Sequence, residues 1–373
     1  MTAAPTDPTH PMDENDYDDL PLRQKRGQRR SVGIDRRAER LRTPVPAAGA
    51  SPTDGTAETG DPVLSGEALV VAISRGQCEA EMNGEIVVCH LPKALALVQK
   101  SDLAVGDRLR LARRPSGELV VAQVLPRWSR LSRPDPLLAH RERVLAANLD
   151  LAVVVTALRR PALATGLLDR FLVALAHGQV PAAIVVNKYD LAEAPDAADS
   201  DVANDPELAR LAPYRALRIP FLFCSAKSGL GLEELRALLA GKTVVFVGHS
   251  GVGKSSLLAA LSPELDVRVG EVSTMNARGR HTTTRARIYR LPNETRIIDT
   301  PGIREFGLWQ MSREELSLYF EEFEELAPHC RFNDCSHSHE PSCAVREAAE
   351  SGALDANRYE TYLRILASLA SER

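Results

Sequence analysis

The segment FVGHSGVGKSS at residues 246–256 constrains the fold more than any other part of the chain. It follows the apolar run TVVFV and leads into the helix-forming run KSSLLAALS, so it predicts a strand, a glycine-rich loop and a helix in succession. Such a loop turns its backbone N–H groups and the helix N-terminus toward an anion. The predicted phosphate-binding loop consists of Gly248, His249, Ser250, Gly251, Val252, Gly253, Lys254, Ser255 and Ser256.

Two residues of this loop have distinct expected roles. Lys254 is expected to pair with the β- and γ-phosphates of a bound nucleotide. The Ser255 hydroxyl is expected to ligate Mg²⁺. Both roles need a strand before the loop and a helix after it, and the flanking residues predict both.

A second motif, Asn187-Lys188-Tyr189-Asp190, follows the apolar run AAIVVN. The Asp190 carboxylate can accept from the N1–H and the exocyclic amine of guanine, and adenine would leave that carboxylate unpaired, which discriminates strongly between the bases. Ser225-Ala226-Lys227 follows the next apolar run, FLFC, and is typical of an element whose backbone N–H meets guanine O6. Together these motifs predict a guanine site.

Two further elements belong to such a site. Asp299-Thr300-Pro301-Gly302 follows RIID; Asp299 is expected to approach Mg²⁺ through a water, and the Gly302 N–H to meet the γ-phosphate. Residues 278–286, RGRHTTTRA, precede it. One of the three threonines, Thr282, Thr283 or Thr284, is expected to close on Mg²⁺.

The order of these elements is the usual GTPase order rotated cyclically, with the guanine motif before the phosphate loop. Because domain termini tend to lie close together, a short connector can join them while the chain opens elsewhere. Residues 240–242, Ala-Gly-Lys, are the predicted connector. The Asp299 segment then leads directly into the C-terminal part, so a γ-phosphate-dependent movement is expected to reach that part.

Four regions are predicted. Few large apolar residues occur in residues 1–60, which predicts a disordered tail. Residues 62–134 contain about five short alternating runs, which predict an OB-fold-like β-barrel. Apolar runs alternate with helical runs over residues 137–311, which predicts an α/β, circularly permuted P-loop GTPase domain. Residues 312–373 are predicted to form a helical, metal-binding module.

The barrel ends in PRWSRLSRP at residues 126–134, where Arg127, Arg130 and Arg133 flank Trp128. Arginine pairs with phosphates and indole stacks on bases, so this segment is one candidate RNA-contacting edge. The alternative interpretation is a partly exposed linker between domains.

The C-terminal region predicts three helices. SREELSLYFEEFEEL, from Ser312, opens with a capping box and has the pattern of one amphipathic helix. The last thirty residues predict two more, with a break at Gly352.

A cysteine cluster lies between these helices, in CRFNDCSHSHEPSC. Three cysteines and one histidine would form a closed set suited to structural Zn²⁺. The cysteines are Cys330, Cys335 and Cys343; His337 is the favoured fourth ligand, with His329 and His339 as alternatives. Cys78, Cys89 and Cys224 lie in apolar runs and are predicted to be buried thiols.

Hydropathy indicates where in the cell the protein acts, and charge indicates which partners it could bind. No run of about 18 apolar residues occurs, and the N-terminus lacks the apolar core of a secretory signal, so we expect a cytoplasmic protein. The net charge of −4 argues against a generally basic nucleic-acid binder, but residues 20–43 carry nine bases and two acids. That segment is either a phosphate-binding arm or a solvated tail. Nothing in the sequence indicates more than a monomer.

These motifs together resemble the ribosome small-subunit-dependent GTPase A family over roughly residues 62–350. The resemblance rests on NKYD, SAK, GHSGVGKSS, GRHTTT, DTPGIREFGL and CRFNDCSHSHEPSC. It implies GTP hydrolysis stimulated by the small ribosomal subunit, a role in late maturation of that subunit, and rRNA contacts by the barrel and the zinc module. It favours Thr283 among the threonines and supports His337 as the fourth metal ligand.

One position qualifies the expected chemistry. Ile303 stands where many GTPases carry a glutamine that orients water, a substitution that the family shares. We hypothesise that His281 positions the water, although it could equally be an exposed loop residue or an rRNA contact. Two other interpretations stay open: a non-enzymatic assembly factor that GTP locks in one conformation, and a permuted GTPase with a metabolic or membrane target.

Overall fold

The computed structural model of the chain describes residues 63–74, 76–92, 103–134, 142–192, 205–262, 287–299 and 311–370. The predicted tail at residues 1–60 lies outside the described residues. Among the helices that the structure describes, none combines the length and the apolar character that crossing a membrane requires.

The N-terminal part is a closed five-stranded barrel, as predicted. Strands β1 and β4 pair and close the cycle β1–β2–β3–β5–β4, in which only β3 and β5 run parallel among the described pairings. Alternate residues point inward, so Leu109 and Leu111 are fully buried in its core. The strands are β1 (Val63–Ser74), β2 (Gln77–Met82), β3 (Glu85–His90), β4 (Arg108–Arg113) and β5 (Leu119–Val124).

Cys78 and Cys89 are register partners on β2 and β3 and are buried in the barrel core. Cys224, which directly follows a strand of the α/β region, is likewise buried. The prediction of three buried thiols is therefore confirmed.

A small antiparallel sheet follows the barrel. It contains β6 (Arg130–Pro134) and β7 (Glu142–Ala147), and Arg133 lies opposite Arg143 in its register. The segment interpreted above as an edge or a linker is thus partly a strand, paired with residues at the start of the α/β region.

The α/β region contains five parallel strands in the order β10–β9–β8–β11–β13, followed by antiparallel β12. Every residue of β8 is buried, as expected for a strand covered on both faces. Two apolar clusters cover the opposite faces. The strands are β8 (Leu151–Ala157), β9 (Ala182–Asn187), β10 (Phe221–Phe223), β11 (Thr243–Val247), β12 (Arg287–Arg290) and β13 (Arg296–Asp299).

The described helices of this region are α1 (Thr165–His177), α2 (Pro206–Ala209), α3 (Ala212–Arg215), α4 (Leu232–Leu239) and α5 (Lys254–Leu261). Residues 240–242 join α4 to β11, where Gly241 has φ +70° and Thr243 donates its N–H to Asp150 over 2.8 Å. The predicted connector is therefore a tight turn between packed elements.

The barrel and the central sheet form one continuous sheet through β12. Arg287 of β12 is the register partner of Ala72 on β1 and of Asp299 on β13. Glu81 of the barrel also forms ion pairs with Arg290 and Arg296, the latter at 3.9 Å. Asp299 is consequently two strands away from the barrel.

The C-terminal region begins with a capping box, in which Ser312 and Glu315 exchange side-chain and backbone hydrogen bonds. Its α-helices are α6 (Arg313–Leu316), α7 (Phe323–Leu326), α8 (Ala344–Glu350) and α9 (Ala356–Ala370). The two helices predicted after the cysteine cluster are confirmed, and Gly352 with φ +78° lies between them.

The prediction of one helix from Ser312 is wrong. A 3-10 turn follows α6, the backbone becomes extended at Phe320 (φ −103°, ψ 99°), and a second 3-10 turn follows α7. The break lets Phe320 and Phe323 both pack on Tyr362, with ring centroids 5.2 Å and 4.9 Å apart. Burial of these rings on α9 overrides the helical pattern of the segment.

Candidate functional site

The phosphate loop connects β11 to α5 in the predicted strand–loop–helix order. Gly248 has φ +140°, and a Cβ there would lie 2.1 Å from the Val155 carbonyl oxygen of β8. Lys254, at the start of α5, donates to the carbonyl oxygens of Gly248 at 2.7 Å and His249 at 2.8 Å. The lysine ammonium therefore lies inside the curve of the loop.

The remaining loop residues differ in exposure. Val252 is buried, whereas His249, Ser250, Gly251 and Ser256 are exposed and Ser255 is half-buried in the first turn of α5. The half-buried Ser255 hydroxyl is thus near the start of the helix, where a phosphate-bound cation would be ligated.

Asn187 joins the guanine motif to the phosphate loop. Its Nδ2 donates to the Val252 carbonyl oxygen over 2.9 Å, and its Oδ1 accepts from the Ala226 N–H over 3.2 Å. The side chain is only 1% exposed. One buried amide therefore contacts both the phosphate loop and the Ser-Ala-Lys element.

Lys188 makes a second connection. It has a left-handed backbone (φ +59°), and its Nζ donates to the Gly251 carbonyl oxygen at 2.7 Å and to that of Arg160. These contacts hold the loop after β9 against the phosphate loop, although about sixty residues separate Lys188 from Gly251.

Asp190 lies in a one-turn 3-10 helix directly after β9. Its Oδ1 accepts from the Ser225 hydroxyl at 2.7 Å, and the Ser225 oxygen in turn accepts from the Ser228 N–H at 3.1 Å. Ser225 is fully buried and Lys227 is exposed. The Asp190 carboxylate is thus oriented by a buried hydroxyl at the ends of β9 and β10.

Asp299 ends β13, which pairs with β11 in parallel. The carboxyl ends of parallel neighbours share one edge of a sheet, so Asp299 is on the edge from which the phosphate loop emerges. Gly302, His281 and Thr283 lie outside the described residues.

A second cluster fits a metal ion. The ligand atoms of Cys330, Cys335, His337 and Cys343 all lie within 4.8 Å of one another. The sulfurs of Cys330 and Cys343 are 3.9 Å apart, and His337 Nδ1 is 3.5 Å and 3.6 Å from them. A tetrahedron with metal–sulfur bonds of about 2.3 Å has edges of about 3.8 Å, so the donor set fits that geometry.

The other two histidines are not part of this cluster. His329 is exposed and its Nδ1 contacts the Glu325 carbonyl oxygen at 3.0 Å, whereas exposed His339 contacts Ser338 at 2.9 Å. His337, by contrast, is buried. The structure thus selects His337 from the three alternatives.

Helix α9 holds the metal-binding loop. The hydroxyls of Tyr359 and Tyr362 donate to the carbonyl oxygens of His337 at 2.8 Å and Ser336 at 2.6 Å. Burial opposes the charge of Glu340, but hydrogen bonds from Ser336 and nearby backbone N–H groups lower its pKa to about 2. Neither the tyrosines nor Glu340 was identified from sequence; the aromatic spacing of α9 was the available signal.

The pKa values of two of the ligand thiols are shifted in the cluster. Burial raises the pKa of the Cys335 thiol, and it also raises that of Cys330. A bound metal ion would offset this effect, because it stabilises the thiolate form of its cysteine ligands. The cluster therefore has the chemistry of a closed structural metal site.

The structure removes one residue from the candidate RNA edge. Arg127 is 4% exposed, and its Nε and Nη2 donate to the two oxygens of fully buried Asp107 at 2.7 Å and 2.8 Å. Arg127 is therefore not part of an exposed edge, because this bidentate pair uses its guanidinium inside the protein. Arg130 pairs with Glu142 at 2.6 Å, and Trp128 is exposed.

The fold and the site define a circularly permuted P-loop GTPase, with a barrel before it and a helical module with a metal-binding cluster after it. Residues 124–309 match the family model described as RsgA GTPase. A curated Pseudomonas aeruginosa protein, Small ribosomal subunit biogenesis GTPase RsgA, is 41% identical over 301 residues, which cover 80% of this chain and 84% of that protein. The chain belongs to the RsgA GTPase family.

Further relatives support this family assignment. An Azotobacter vinelandii protein of the same name is 42% identical over 78% of this chain and 80% of its own length. The crystal structure of YjeQ from Thermotoga maritima matches with TM-score 0.64 and 30% identity, over 82% of this chain and 99% of its own. The structure of YloQ, described as a circularly permuted GTPase, matches with TM-score 0.62 and 25% identity, over 82% and 96% of the two chains.

Proposed function

We propose that this GTPase acts in late maturation of the small ribosomal subunit and that the subunit stimulates its GTP hydrolysis. A relative named Small ribosomal subunit biogenesis GTPase RsgA, 41% identical over 84% of its length, supports the biological role. The observation that carries the chemistry is Asn187, which contacts the phosphate loop and the Ser-Ala-Lys element at once. A single nucleotide bound across that contact would have its base beside Asp190 and its phosphates at Lys254.

Each nucleotide contact has its own physical reason. Asp190 would accept two hydrogen bonds from guanine, and Ala226 would offer its N–H to O6. The phosphate-loop residues would wrap the phosphates, with Lys254 neutralising the β- and γ-oxygens. Ser255 and Asp299 would hold Mg²⁺, Asp299 through a water, and Gly302 would meet the γ-phosphate.

The hydrolytic step requires a positioned water. Ile303 has no polar group that could orient this water, so we assign the positioning of the water to His281. We assign the closing contact with Mg²⁺ to Thr283. His281→Ala would then lose most of the subunit-stimulated turnover while GDP affinity stays unchanged. Retained stimulation in that variant would remove His281 from the mechanism.

The metal cluster would hold one structural Zn²⁺ through Cys330, Cys335, His337 and Cys343. Four protein ligands leave no open position, so the ion would stabilise the fold of its loop rather than act on GTP. The barrel and this zinc module would contact rRNA, with residues 20–43 as an added phosphate-binding arm. The protein would act in the cytoplasm as a monomer, and it would not bind a membrane.

The test is phosphate release from GTP, measured with increasing amounts of purified small subunits and with ATP as the competing nucleotide. We expect slow basal turnover, clear stimulation by small subunits, and little effect of ATP. Equal stimulation by large subunits, or no stimulation at all, would contradict the proposal. Steep weakening of subunit binding with added salt is expected in addition, because phosphate contacts release counterions.

A further inference from the structure

Trp128 is presented on the surface by a firmly held backbone. The residue is 41% exposed, while its neighbours Arg127 and Ser129 are buried. The Trp128 N–H donates to Asn148 Oδ1 at 3.1 Å, and the Ser129 hydroxyl donates to the Leu149 carbonyl oxygen at 2.8 Å. A large aromatic ring is therefore held outward by residues anchored on either side of it.

Arg108 covers this ring. Its guanidinium carbon lies 5.5 Å from the indole centroid, a cation–π distance. Its Nε is buried without a hydrogen-bond partner, and no carboxylate pairs with the Arg108 side chain anywhere in the described ranges. The Arg108 guanidinium thus lies against a partly exposed aromatic ring, without a carboxylate partner among the described residues.

The outer face of β4 extends this surface. Arg110 is two residues from Arg108 and exposed, and Gln123 of β5 is its register partner. Glu67 of β1 is its partner on the other side, 4.0 Å from the guanidinium, with both side chains about half exposed. Solvent screens such a pair, so Arg110 remains available to an anionic partner.

We propose that Trp128, Arg108 and Arg110 form a platform that binds an unpaired RNA base together with its phosphate. The inference rests on the proposed function, because that function supplies RNA as the partner. Indole and guanidinium planes stack on bases of any sequence, and arginine donors pair with phosphate oxygens. Paired bases in a duplex expose no such face, so the platform selects single-stranded or looped RNA over a helix.

The experiment uses the fluorescence of Trp128 in the full chain. Trp309 is the other tryptophan, so Trp309→Phe leaves Trp128 as the single emitter. This protein is titrated with a mixed-sequence single-stranded RNA of about ten nucleotides, and separately with an RNA duplex of the same composition. We expect saturable quenching by the single strand and clearly weaker binding of the duplex.

Substitutions then test how much each residue of the platform contributes to RNA binding. Because stacking on one aromatic side chain contributes strongly to single-strand affinity, Trp128→Ala is expected to weaken RNA binding by about 5-fold to 100-fold, measured with labelled RNA. Trp128→Phe is expected to retain most of the affinity. Arg110→Ala is expected to lower the salt dependence by about one phosphate contact. The control is Arg210→Ala, at an exposed arginine of the GTPase domain that pairs with Glu207, and it should leave the salt dependence unchanged.

Several results would overturn the platform. Unquenched Trp128 emission at saturating RNA, or a Trp128→Ala variant that binds RNA as tightly as the parent, would do so. Loss of subunit binding in Trp128→Ala with unchanged affinity for free RNA would show a protein-binding surface instead. GDP affinity and unfolding temperature, measured for each variant, establish that the fold is intact.

The failure of the platform is distinguishable from failure of the proposed function. If small subunits stimulate the parent GTPase while Trp128→Ala binds RNA normally, only the platform is wrong. If RNA quenches Trp128 while small subunits leave GTP turnover unchanged, the platform stands and the proposed function fails.

Discussion

The Asn187 amide donates to the carbonyl oxygen of Val252 over 2.9 Å, linking a strand end to a loop about sixty residues later in the chain. The same amide accepts from the Ala226 N–H. These contacts mean that the base-reading residues and the phosphate loop are held as one unit. Cyclic rotation of the chain order leaves that unit intact.

Asn187→Ala removes both hydrogen bonds from a buried position. The unpaired polar groups are expected to cost about 1–3 kcal/mol of unfolding free energy, measured by urea denaturation. GDP affinity is expected to fall about tenfold or more, equivalent to about 1.4 kcal/mol. Gln123→Ala, on the exposed barrel surface, is the control and should change neither quantity. Unaltered GDP affinity in Asn187→Ala would contradict the shared-site account.

Gly253→Ala tests the close approach between the two loops. Gly253 has φ +94°, and a Cβ there would lie 2.3 Å from Asn187 Nδ2. Gly117 has a similar φ of +89° with nothing within 4 Å of its Cβ, so Gly117→Ala is a matched control. Both variants should lose about 1–2 kcal/mol from left-handed backbone strain. Only Gly253→Ala should also lose GDP binding in calorimetry; equal GDP affinity in both variants would refute the contact.

The metal cluster makes a prediction about zinc content. Purified protein is expected to contain about one zinc per chain, since three thiolates and one imidazole form a closed tetrahedral set. His337→Ala and Cys335→Ser should lose the zinc and lower the unfolding temperature, whereas exposed His339→Ala should keep it. Elemental analysis measures the zinc content of the three variants and so tests which histidine is the ligand. Zinc loss in His339→Ala with retention in His337→Ala would reverse the assignment.

A buried ionic network joins the GTPase domain to the C-terminal module. Arg358 of α9 donates to Asp169 of α1 at 2.6 Å and to both oxygens of Glu322 at 2.6 Å and 2.9 Å. Although burial opposes its charge, hydrogen bonding to Glu322 and the charge of Asp169 raise the pKa of Arg358. The guanidinium therefore stays charged, and the two carboxylates depend on it.

Arg358→Leu would leave buried Asp169 and half-buried Glu322 without their cation. We expect a loss of about 3–5 kcal/mol in unfolding free energy. Arg364→Leu, which removes an exposed pair with Glu360 on the same helix, should cost less than about 1 kcal/mol. Urea denaturation of both variants provides the comparison, and equal losses would mean that the network contributes little to docking of the module.

Much of the nucleotide site could be predicted because each motif is a local backbone pattern. A phosphate loop or an Asn-Lys-x-Asp turn needs particular residues at fixed spacing, so Lys254 and Asp190 are recognisable without any knowledge of distant contacts. The metal ligands are similar, since four donors lie within fourteen residues. Only the choice of the fourth ligand among three histidines needed the three-dimensional structure.

The features that could not be predicted depend on residues far apart in the chain. Arg127 pairs with Asp107, twenty residues away, so its burial is invisible in the local pattern of PRWSRLSRP. The break at Phe320 depends on packing against Tyr362 of α9, which a helical periodicity cannot reveal. Tertiary contacts of this kind override local preference.

The central claim is that Asp190 and Lys254 hold the two ends of one guanine nucleotide, and the base preference of Asp190→Asn tests it most directly. Calorimetric titration of parent and variant with GDP, ADP and xanthosine diphosphate is the measurement. The parent should bind GDP at least about 100-fold more tightly than ADP, because adenine leaves the carboxylate unpaired. The variant should prefer xanthosine diphosphate, since an amide can donate to the additional carbonyl of xanthine. A parent that binds ADP as tightly as GDP, or a variant with unchanged preference, would contradict the account.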